Sequence, residues 1–163
     1  MKNILICILI IGVSFINIEK TSYFNVYAET SLKQVEPCEQ KYLNELENIK
    51  NQLDILSSNA ITAISNKSDT QKILKDANFL KTQIRELRIK LSDYHKTQSG
   101  NIEKNPLSLA LLNALNYYSM ALSYIMNHLI SESISDKNSY LENYYFSKAY
   151  GDQTLNWLKT QIK

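Results

Sequence analysis

Apolar residues recur at alternating intervals of three and four along two long stretches of this chain, the spacing that lays side chains along one face of an α-helix. In the first stretch they are Leu46, Ile49, Leu53, Leu56, Ala60 and Ala63; in the second, Ile73, Ala77, Leu80, Ile84, Leu87, Leu91 and Tyr94 keep the pattern without a break. Start and stop signals set the boundaries. Pro37 opens a helix over 37–65, because a first-turn residue needs no amide for the intrahelical ladder. Ser68, with Gln71 three residues on, makes a capping box and predicts a second helix over 69–96, with Lys72–Asp76 and Glu86–Lys90 as opposite-charge pairs one turn apart. Ser99-Gly100-Asn101 ends it. Asn105 as cap and Pro106 as first residue predict a third helix over 106–132. Ser135 as cap, with Asp136 beside the positive helix start, predicts a fourth over 136–162. Gly151 in its middle costs about 1 kcal/mol relative to alanine, so a kink or a close helix contact is expected there.

The third helix differs from its neighbours: Leu107 to Ile130 contains no Asp, Glu, Lys or Arg. It also holds Ser108, Asn113, Asn116, Ser119, Ser123, Asn127 and His128, each of which would need a partner in hydrocarbon, so a core helix with one wet strip costs less than a bilayer span. Three glycines and two prolines in 163 residues are too few for a turn-rich β fold. The fold expected is all-α, an up-down-up-down antiparallel four-helix bundle over 37–163, with a dimerising helical hairpin as the alternative.

Ahead of the bundle, Lys2, the apolar run Ile4 to Phe15 and the ending Val26-Tyr27-Ala28 read as a signal sequence over 1–28, followed by a flexible tail over 29–36. The run is shorter than the roughly 20 residues that span a bilayer. Secretion or an extracytoplasmic cell-surface location follows, with a retained leader as the rival. Removal of the leader leaves Cys38 without an internal partner, so an intermolecular disulfide there is the functional alternative to a small apolar residue.

Net charge is +2, and the only arginines are Arg85 and Arg88, which gives no electrostatic reason to expect nucleic acid. The two mature histidines, His95 and His128, read as structural. No Glu-x-x-His pair for a di-iron bundle site and no Cys-x-x-Cys-His for haem is present, so no metal, cofactor or catalytic residue is assigned and no enzyme is expected. Exported all-helical chorismate mutases share this helix content, but their sites converge several cations on a dianion, whereas Arg85 and Arg88 lie three apart on one flank of one helix.

Aromatic residues crowd the last two helices: Tyr117, Tyr118, Tyr124, Tyr140, Tyr144, Tyr145, Phe146, Tyr150 and Trp157 cannot all face one core. Tyrosine and tryptophan bury large area and keep a polar tip, which suits both cores and interfaces. Tyr140, Tyr144, Tyr145, Tyr150 and Trp157 are the residues assigned to a partner-binding face, with matching of helix three in the core as the other reading. The function expected is a non-enzymatic interaction module binding a protein partner or itself through a helix face. The alternative is a membrane-active or apolar-ligand-binding bundle, with membrane contact through a retained leader or through 107–130.

Overall fold

The computed structural model describes residues 37–66, 70–101 and 105–162. The signal sequence read over 1–28, the tail over 29–36 and the Ser68 cap lie outside them. Four helices fill the described chain: α1 Pro37–Ser65, α2 Gln71–Thr97, α3 Asn105–Ile130 and α4 Ile134–Gln161. None is long and apolar enough to cross a membrane.

The heptad positions do what their spacing demands. Leu46, Ile49, Leu53, Leu56, Ala60 and Ala63 of α1 are all buried, as are Ala77 through Tyr94 along the α2 seam, with Ile73 half-buried at its start. Contacts between elements fix the topology. Gln52 of α1 donates to Gln83 of α2 at 2.9 Å and Lys90 reaches back to Glu45 at 3.3 Å, so α1 and α2 run antiparallel. His95 near the end of α2 meets Ser108 near the start of α3 at 2.7 Å, and α4 returns along both α3 and α1. Across the bundle α1 and α3 also touch, whereas α2 and α4 do not, so the section is a rhombus with α1 and α3 on its short diagonal. The dimerising hairpin is therefore unnecessary to close the core: one chain supplies four helices.

Several local expectations are corrected. The cap of α4 is Ser133 rather than Ser135: Ser133 has the extended backbone a cap needs (φ −75°, ψ 128°), and its side chain accepts from the Asp136 amide at 3.3 Å. Asp136 thereby stands third in the helix, beside its positive end. At α2 the residue before the helix is Thr70, itself in helical conformation and making no side-chain cap. Asn105 is no cap either: it is the first residue of α3, its amide bonds to the Asn101 carbonyl at 3.0 Å, and its Oδ1 is buried without a partner. The third helix stops at Ile130, short of 132, because residues 131–133 are spent on the turn. Lys90 pairs with Glu45 across the α1–α2 seam instead of with Glu86 on its own helix.

Candidate functional site

The face that gathers the exposed aromatic rings is built on the α3–α4 hairpin, and its geometry starts at the turn. His128 is buried on α3, and its Nδ1 lies 2.8 Å from the Lys137 carbonyl of α4. A carbonyl only accepts, so Nδ1 carries the proton and the ring pins the first turn of α4 to the end of α3. Further along, α4 presents Ser147 and Gly151 to α3, both buried. A Cβ on Gly151 would stand 2.7 Å from Cε1 and 2.9 Å from Cδ1 of Tyr118, so only glycine lets the backbone lie against that ring. This is the close helix contact expected at Gly151. Tyr118 is fully buried and donates its hydroxyl to Asp152 at 3.0 Å. Burial and the Asp152 carboxylate beside it drive the acidity of that phenol far below the ordinary, so it stays a donor.

With the backbones this close, side chains flanking the seam must splay outward. At about 100° of rotation per residue, Phe146, Tyr150 and Trp157 share one shoulder of α4, and Tyr145 stands on the other. The shoulder of Tyr150 is the one beside α3, because its ring stacks on Tyr117 with centroids 5.5 Å apart at 28°. Along α3, Met120 and Tyr124 continue the flank that Tyr117 occupies. Phe146 is 57% exposed, Tyr150 54% and Met120 46%; Tyr117 and Tyr124 are half-buried beneath them. Around these rings stand Asn113, Asn143 and Gln153, and α3 contributes no charged side chain at all. The result is a surface of rings and amides on two helices, uncharged on its α3 half and edged on α4 by the exposed Glu142, one turn before Phe146.

The five residues assigned from sequence divide four ways. Tyr150 and Trp157 lie on this face, Trp157 half-buried and packed against the core. Tyr140 is half-buried near the turn. Tyr144 is not on any surface: it is 2% exposed, and its hydroxyl donates to Ser57 of α1 at 2.7 Å. Burial raises its pKa although the Ser57 hydrogen bond works the other way. Tyr145 is 54% exposed but belongs to the α1 side, set edge-on to Tyr144 at 5.0 Å. Phe146, Tyr117, Tyr124 and Met120 were missed as face residues. The signal that could have found them is the pairing of exposed rings with the facing helix, which no single-helix period contains.

Beside Tyr145 the α1–α4 seam carries an ion-pair chain. Lys148 bonds Asp152 at 2.6 Å and lies 3.0 Å from Asp54, which also takes Lys50 at 2.6 Å. Burial alone would raise Asp54 and lower Lys148; the hydrogen bonds between them and their neighbours outweigh it, holding Asp54 below the usual carboxylate range and Lys148 above the usual amine. Every member has its counter-charge, which makes the chain a clasp rather than a reactive centre. His95 is held by Ser108, and Cys38 is an exposed free thiol in the first turn of α1. Among the described residues no three His, Cys, Asp or Glu side chains cluster as metal ligands would. On the far side of the bundle, α1 and α2 form a groove of about 250 Å³ edged by Ile55 and Phe79.

Comparison with known proteins returns no match to a family model, to a curated protein or to a solved structure.

Proposed function

We propose that this chain is an exported, non-enzymatic interaction module that works at the cell surface or outside the cell and binds a protein partner through the α3–α4 aromatic face. The observation that carries the reading is the exposure of Phe146, Tyr150 and Met120 on the two helices of one hairpin, with Tyr117 and Tyr124 half-buried beside them and no charge on the α3 side. Binding surfaces are enriched in Tyr, Trp, Phe and Met and depleted of charge at their centres, because rings bury area with few rotors to freeze and desolvate cheaply. Single exposed apolar residues need no explanation, but a contiguous group of them does. Export rests on the leader read at 1–28.

The test is recovery of partners from the exported fraction by the mature domain and by a Phe146→Ala/Tyr150→Ala form that keeps its helical circular dichroism. The reading expects a discrete partner with the first and its loss with the second. Undiminished recovery by the double variant sinks it. A parallel arm with liposomes addresses the membrane-active alternative: lipid binding that survives the double variant, with no protein partner recovered, would favour that reading instead.

A further inference from the structure

The net charge of +2 conceals a sorting of charge by helix. Within their bounds, α2 carries seven Lys and Arg against three Asp and Glu, α1 two against four, α4 three of each and α3 none. Both arginines are on α2, and they are not scattered around it. Lys81, Arg85, Arg88 and His95 follow one another at intervals of four, three and seven, which places them on one flank. His95 contacts Ser108 of α3, so that flank looks toward α3; the opposite flank, holding Gln83 and Lys90, contacts α1.

The cations on this flank face a helix that has nothing to neutralise them. Across the seam α3 offers Leu112, Asn116, Ser119, Ser123 and Met126, and α4 does not touch α2. Among the described residues no ion pair ties Lys81, Arg85 or Arg88 to a carboxylate, whereas Lys50, Lys90, Lys96, Lys148 and Lys159 each have one. Arg88 is half-buried, and its Nε is enclosed with no hydrogen-bond partner. A buried guanidinium nitrogen without an acceptor is costly, and an acceptor carried in by a ligand removes that cost.

We propose that the α2–α3 seam binds a linear polyanion bearing sulfate or phosphate groups and lacking bases, gripped by Lys81, Arg85 and Arg88. The three cations span about 10 Å along the helix axis at 1.5 Å per residue, a line rather than a disc, which suits a thin chain lying along the seam. The guanidinium forks match tetrahedral oxyanions two oxygens at a time. Asn116, Ser119 and Ser123 supply neutral hydrogen-bonding groups on the facing helix. No aromatic ring stands on these flanks to stack a base: Phe146 and Tyr150 lie on the α4 side of α3, Tyr145 on the α1 side of α4, and Phe79 edges the α1–α2 groove. A flat bilayer meets the half-buried Arg88 less well than a chain that can enter the seam.

The experiment measures binding of the mature domain to a sulfated polysaccharide, to inorganic polyphosphate, to a single-stranded oligonucleotide and to anionic phosphatidylserine vesicles, across a salt series. Either of the first two binding more tightly than the last two supports the proposal and identifies the source of the oxyanion. Arg85→Gln/Arg88→Gln is expected to weaken that binding about tenfold and to flatten the salt dependence by about two counterions. The charge-matched Lys72→Gln/Lys75→Gln form changes affinity by less than about twofold, and Arg88→Lys, which keeps charge without the fork, falls between. Thermal melts of each variant confirm the fold. Equal losses from the two double variants, preference for the oligonucleotide or the vesicles, or no binding to either base-free polyanion at low salt would each overturn it.

Discussion

The two seams of α4 are held by different physics. Against α3 it packs by closeness: Ser147 and Gly151 remove bulk so that Tyr118 can lie on the backbone, and little polar chemistry is involved beyond the hydroxyl that reaches Asp152 and the His128 ring on the Lys137 carbonyl. Against α1 the contact is sparser and polar: Tyr144 to Ser57, Lys148 to Asp54, and Lys159 to Glu47 at 2.6 Å. Close packing is steep and unforgiving of volume. Partly exposed ion pairs are tolerant, screened by salt and sensitive to pH. The α3–α4 seam is therefore the one sensitive to side-chain volume, and the α1–α4 seam the one sensitive to salt and pH.

Substitutions on the two sides should separate widely. Tyr118→Ala, which empties the close seam, is expected to cost about 3–5 kcal/mol in urea unfolding. Gly151→Ala comes next: overpacking costs about 1–3 kcal/mol, helix propensity returns up to about 1, and a net loss of about 1–2 kcal/mol is expected. In a Tyr118→Ala background the same change should cost nothing or stabilise, because the ring it strikes is gone, and a double-mutant cycle reads that reversal. Across the other seam, Tyr144→Phe removes one buried hydroxyl and should cost about 1 kcal/mol.

Asp54→Asn is smaller, about 0.5–1 kcal/mol after discounting for solvent screening, and carries a pH signature. Because the Asp54 pKa is depressed on folding, its contribution is present above the unfolded value of about 4 and lost as pH falls through the folded one. Lys148 has the opposite sign: its raised pKa contributes below the unfolded value of about 10.4, and that is lost as pH rises through the folded one. Chemical denaturation from pH 3 to 7, in steps of about one unit, should show the acid loss shrink in Asp54→Asn.

How much of this was legible follows the same division. The seams of α1 and α2 could be read because Leu, Ile and Ala at heptad spacing stand out against charged neighbours, and every α1 position so read is buried. The seam of α4 runs Tyr144, Ser147, Gly151, Leu155 and Leu158, again three and four apart, but a tyrosine, a serine and a glycine do not register as apolar. Its rings instead scatter around the helix, so that core and surface tyrosines look alike until α3 is set beside them. Helix ends slipped for a related reason: Ser133 and Ser135 are chemically equal caps, and only the backbone bend at residue 133 chooses between them. The ion-pair chain from Lys50 to Asp152 joins residues about a hundred positions apart, beyond the reach of any local pattern.

Tyr145 and Tyr150 sharpen the functional claim, since each is 54% exposed on the same helix and only the second belongs to the α3–α4 face. Each ring makes one aromatic pair, so replacing either with alanine should cost a similar amount, about 0.5–1.5 kcal/mol, and a difference in binding between the two is not explained by unfolding. The most direct measurement places a photoreactive side chain at 145 in one form and at 150 in another and irradiates the cells that produce the protein. A discrete protein adduct from position 150 and none from 145 is the result expected; equal adducts from both, or adducts from 145 alone, would contradict it.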